Sequence, residues 1–111
     1  MANVQKSPGL VAMLRSAVRA YRHRYDVLTA GTCDAGSLRK LQHEVVRAYV
    51  EAQRLFVSIQ SGTLAQLRAD VTPDASRRAR SLELYEDVGT LHDLMTLISG
   101  RIATLDRARR N

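Results

Sequence analysis

Between residues 38 and 71 the apolar positions fall into two stripes instead of one. Leu38, Leu41, Val45, Tyr49, Ala52, Phe56, Ile59 and Leu67 recur mostly three or four residues apart, the spacing that lines one face of a helix. Val46, Val50, Val57 and Leu64 share a neighbouring face. A surface helix needs a single apolar stripe, so a doubled one predicts neighbours on two sides. This helix is therefore expected in the middle, with the preceding and following chain packed on either side of it.

Two further helical patterns flank it. Val11, Leu14, Val18, Tyr21, Tyr25 and Leu28 alternate in steps of three and four, which is a heptad seam. Ser7 and Pro8 ahead of it suit a helix start, because Ser caps and Pro is tolerated in the first turn. After residue 72, Leu84, Val88, Leu91, Met95, Ile98, Ile102 and Leu105 form another unbroken seam, widened by Leu82, Tyr85, Leu94 and Leu97. Thr72-Pro73-Asp74 supplies its start signal. Small and turn-forming residues at 29–36 make the first connection, with Asp34 or Ser37 as the cap of the next helix. Ser61-Gly62-Thr63 interrupts the middle helix, and Thr63 with Gln66 matches a capping box. The stripes keep phase through this point, which favours a kink or a close packing spot over a break.

The expected fold is all-α. It is an up-down-up antiparallel three-helix bundle with helices at about 8–28, 37–70 and 73–108, a loose tail at 1–6, and a single domain over 1–111. At about 1.5 Å per residue the first helix spans roughly 30 Å and the other two roughly 50 Å each, a coiled-coil-like hairpin. A short first helix then leaves 59–71 facing 72–85 uncovered. Leu64, Leu67, Leu82 and Tyr85 are the residues expected in that bare apolar groove, and such a surface reads as an interaction site.

Composition narrows the chemistry. The chain has 111 residues, no Trp and one Phe, so its core is aliphatic. The single thiol, Cys33, forms no internal disulfide and lies beside Asp34, which raises a thiol pKa. No signal-peptide pattern and no apolar run near 20 residues is present, so a cytoplasmic protein without a membrane span is expected. His23, His43 and His92 sit off the seams and do not converge as metal ligands. Glu83, Glu86, Asp87 and Asp93 read as a solvated acidic face balancing Arg77, Arg78 and Arg80. No phosphate loop, catalytic constellation or cofactor motif is found, so neither an enzyme nor a small-molecule substrate is expected. The Trp-x-Gly turn of small exported helical hairpins and the His-x-x-Gly site of phosphotransfer bundles are both absent.

Charge adds one alternative. The formal net charge is +6, and the expected fold gathers Arg22, Arg24, Arg39, Lys40, Arg107, Arg109 and Arg110 at one end. Such a cluster is the footprint of anion or nucleic-acid contact. No aromatic residues interleave the arginines for base stacking, and no helix-turn-helix spacing is present. The principal expectation is a small protein–protein interaction module: an adaptor, a small chaperone or a subunit of a larger assembly. It binds a protein partner or its own copy as a dimer. The alternative is a basic helical protein that binds nucleic acid without sequence specificity.

Overall fold

The computed structural model describes residues 6–31, 34–69 and 75–110. These form three helices and, among the described residues, no strand: α1 (Lys6–Ala30), α2 (Ala35–Arg68) and α3 (Ala75–Arg110). Residues 1–5, Cys33 and the Thr72-Pro73-Asp74 start signal lie outside the described residues, as do the side chains of Thr63, Gln66 and Leu67.

Each helix begins for a local reason where the chain is described. Lys6, Ser7 and Pro8 occupy the first turn of α1, where backbone N–H groups have no intrahelical acceptor and a proline costs nothing. Of the two candidate caps for α2, Asp34 takes the role. Its carboxylate accepts from the Gly36 and Ser37 amides at 3.3 and 3.1 Å and from the Ser37 hydroxyl at 3.0 Å. The Ser37 hydroxyl, then the two amides, hold the Asp34 carboxyl below its ordinary pKa. A depressed carboxylate contributes stability that is present above about pH 4 and is lost as the pH falls through the folded-state pKa. Asp34→Ala should therefore lower the unfolding midpoint at neutral pH, and the difference from wild type should close on acidification. Thermal melts followed by circular dichroism across pH check this.

α2 passes through Gly62 without a break. A Cβ built on Gly62 would collide with the Arg77 guanidinium, so this is a point of close approach between α2 and α3. Gly89, in the interior of α3, has open space around it. Ala is favoured over Gly in a helix by about 1 kcal/mol. Gly89→Ala should therefore stabilise the protein by about 0.5–1 kcal/mol in urea unfolding. Gly62→Ala should give less, because Arg77 has to move.

The core is shared by all three helices. Val18 of α1 is buried with Leu38, Leu41, Val45 and Ala52 of α2 and Leu91, Leu94 and Ile98 of α3. A second cluster joins Val11, Ile59 and Leu84. Leu14 touches both clusters and links them. α2 and α3 share the longest interface. Their polar pairs run in opposite order along the two helices: Arg39 with Asp106, Gln42 with Ser99, and Gln60 with Ser81.

Two expectations are corrected by this packing. α2 does not separate its neighbours, because α1 also packs on α3. One apolar stripe of α2 serves both partners, and the second stays outside: Val46, Val50, Val57 and Leu64 are 39–61% exposed. The first helix is also longer than its seam implied, at 25 residues. Val11 covers Ile59 and Leu84, so the uncovered end of the hairpin begins beyond them and not at Ile59.

Candidate functional site

Three grooves run between the three helices. One of them lies between α2 and α3, is lined by no residue of α1, and has a mostly apolar lining. Val50, Gln53, Phe56 and Val57 of α2 face Tyr85 and Val88 of α3 across it, with Arg54 at its edge. It continues towards the end of the hairpin past Gln60, Arg78, Ser81 and Leu82. Neither stretch is lined by a carboxylate.

The floor of this groove follows from the pattern that builds the helices. Phe56 and Tyr85 approach with ring centroids 6.4 Å apart, and Tyr49 meets His92 at 6.2 Å. Both pairs are tilted, with interplanar angles of 46° and 47°, at centroid distances within the range where aromatic rings interact. The Gln42 amide donates to the Ser99 hydroxyl at 2.9 Å and the Gln60 amide to the Ser81 hydroxyl at 3.0 Å. The two bridges bracket the aromatic floor. Phe56 is only half-buried, and Tyr85 is 67% exposed. The hairpin thus holds the walls in register and leaves the apolar surface between them open.

Of the four residues expected in an interaction groove, the structure brings Leu82 and Tyr85 together. Leu64 lies further along α2 on the exposed second stripe, at 49% exposure. The Leu67 side chain is outside the described residues. Sequence reasoning missed Val50, Gln53, Phe56, Val57 and Val88 as lining residues. For Val50 and Val57 the signal is the second stripe, which was expected to be covered; Phe56 and Val88 belong to seams expected to be buried, and Gln53 belongs to no apolar stripe.

The basic end is less open than its arginine count suggests. Arg22 pairs with Asp26 at 3.5 Å, Arg24 with Glu44 at 2.6 Å and Arg39 with Asp106 at 3.0 Å. Lys40 borders a hollow with His23, Arg24, Val27, Leu28 and Ser37. Arg107, Arg109 and Arg110 are exposed in the last turn of α3, where cations also suit the helix dipole.

The acidic patch on α3 has to be corrected. Asp87 is not solvated; it is 4% exposed and occupies a core-facing position in the row Leu84, Asp87, Leu91, Leu94, Ile98. Arg15 of α1 reaches it at 3.5 Å, and the same guanidinium meets Glu86 at 2.8 Å and Glu83 at 3.8 Å. Burial raises the Asp87 pKa, and Arg15 pulls it back only in part. One Asp87 oxygen is buried without a hydrogen-bond partner. This cluster fastens α1 to α3 and borders a hollow lined by Val18, Arg19, Arg22 and Thr90 as well as Arg15 and Asp87.

Among the described residues, no group of three His, Cys, Asp or Glu is placed to hold a metal ion. His43 is exposed and His92 lies against Tyr49 and beside Asp93. No helix of the described residues is long and apolar enough to cross a membrane. No protein-family model, curated protein or solved structure matches this chain.

Proposed function

We propose that this protein is a small helical interaction module: an adaptor, a small chaperone or an assembly subunit that receives a protein helix in the α2/α3 groove. The observation that carries the reading is the exposed second stripe of α2 opposite Leu82 and Tyr85. Apolar side chains at helical spacing, left open beside a shaped groove, are what helix-in-groove recognition uses. We take the bundle as up-down-up, a topology supported by the opposed order of the α2 and α3 pairs. An added helix in the α2/α3 groove then completes a four-helix arrangement. A cytoplasmic setting and a non-catalytic role accompany this reading.

Nucleic-acid binding at the basic end is the alternative, and it has weaker support. Three of its seven cations face carboxylates within 4 Å, which reduces the charge offered to a phosphate backbone.

Matched affinity capture on wild type and Val57→Asp tests the proposal. Val57 is 61% exposed, so the substitution should leave the helical circular dichroism signal intact. The same proteins should be retained by wild type and lost by the variant. An identical retained set on both would sink the reading. Nucleic acid held by both and released steeply by salt would move the basic end to the front.

A further inference from the structure

We infer that the occupant of the α2/α3 groove is an amphipathic helix with carboxylates flanking its apolar seam, and not a second copy of this chain. The inference rests on the interaction reading above and specifies the chemistry of the partner.

The exposed stripe of α2 is more ordered than an apolar patch. Val46, Val50, Gln53, Val57, Gln60 and Leu64 step along the helix by four, three, four, three and four residues. All six are exposed. That alternation is the seam of a coiled coil, in which side chains of one helix enter holes on another. α2 therefore carries two seams: one is filled by α1 and α3, and one has the form of a docking surface for a further helix. Gln at two of the six positions keeps the open seam compatible with water when it is empty. It also makes the flanking charges weigh more in selecting a partner.

The flank is cationic. Arg47, Arg54 and Arg68 fall on one row at multiples of seven residues beside the seam, and all three are exposed. Between residues 46 and 69 the only acidic residue is Glu51. It meets Arg54 at 3.4 Å, with both side chains more than 70% exposed, so the pair is heavily screened and worth little. On the facing wall Arg78 lies beside Leu82 and Tyr85. In coiled coils the positions flanking the seam decide which partner is accepted. A row of arginines selects a row of Asp or Glu. A second copy brings another +6 chain and another arginine row, and beside its own open α2 seam it has Glu51 alone to meet them, while its α3 carboxylates Glu83 and Glu86 are held by its own Arg15.

The test uses synthetic peptides of three heptads with Leu at both seam positions. One carries Glu at the flanking positions and the other Lys. Binding to the full chain is followed by fluorescence anisotropy, with circular dichroism on every variant. The Glu peptide should bind at least about tenfold more tightly than the Lys peptide, and more weakly at high salt. The triple variant Arg47→Glu, Arg54→Glu, Arg68→Glu should invert that order, and Val57→Asp should abolish binding of the Glu peptide. Equal binding of both peptides, lost in Val57→Asp, would overturn the charge selection and leave the groove reading standing. Binding of the Glu peptide that Val57→Asp does not change would overturn the groove reading itself. No binding of the Glu peptide, or a dimer in light scattering that Val57→Asp dissociates, would overturn the inference.

Discussion

Leu91→Ala is expected to lower the unfolding free energy by about 3–5 kcal/mol, the range for leucines truncated in a packed core. Leu91 is fully buried and belongs to the cluster where Val18, Leu41 and Leu94 from the three helices meet. The loss has two parts. Transfer free energy of the removed methyl groups is forfeited, and a cavity remains because three helices cannot all close on one point. Against a typical total of about 5–15 kcal/mol this is a large fraction, and the melting temperature should fall on the order of 10–20 °C. Leu82→Ala is the control. Leu82 is 61% exposed, so its truncation should stay within about 0.5 kcal/mol. Urea unfolding of the two variants measures the contrast directly. A Leu91 variant as stable as wild type would mean that the shared core is packed differently.

Asp87→Asn should stabilise the protein at neutral pH. The direction follows from burial. Asp87 sits in the core row of α3, where desolvation raises its pKa more than Arg15 lowers it. The folded state then holds the Asp87 proton to higher pH than the unfolded chain, whose carboxyl titrates near 3.9. Stability from this group is greatest at acid pH and declines as the pH rises from about 4 through the folded-state value. Asn carries no charge to desolvate. Its advantage should vanish near pH 4 and reach its full size at neutral pH. Arg15 is not stranded by the change, because Glu86 stays within 2.8 Å and Glu83 within 3.8 Å. A pH series of urea midpoints for both proteins decides the matter. A variant less stable than wild type at pH 7 would mean that the Arg15 attraction outweighs the burial. The sign is opposite to that at the exposed Asp34 cap, so the two carboxylates tilt the acid limb of the stability profile in opposing directions.

The three helices were legible in the sequence because the seams repeat without error. Leu84, Leu91 and Ile98 on α3, and Val11 and Val18 on α1, are buried as their spacing requires. What periodicity does not contain is which flank of a seam a third helix will cover. On α3 the buried row leans towards Asp87 and Leu94, because α1 packs on that side, while Val88 and Met95 are only half-buried. A charged residue in a core row cannot be distinguished from a solvated one until its partner is in place, and Arg15 lies 72 residues away in the chain. The candidate site was half legible for the same reason. The second stripe of α2 is plain in the sequence, but a stripe does not say whether the chain itself will cover it. Three helices around one core place α1 and α3 on the same stripe, and the other becomes the groove wall.

The proportions of the bundle bear on how its association has to be measured. The molecule extends 63 × 24 × 18 Å with a Cα radius of gyration of 17.6 Å, against about 13 Å for a compact chain of this length. A rod of that shape meets more friction than a sphere of equal mass. It will elute early from a gel-filtration column, and a single chain will run with the elution volume of a larger globular protein. Rotational relaxation will differ along and across the long axis. Assembly state read from elution volume alone would therefore count a partner that is not there. Scattered-light mass or sedimentation equilibrium, which do not depend on shape, would not.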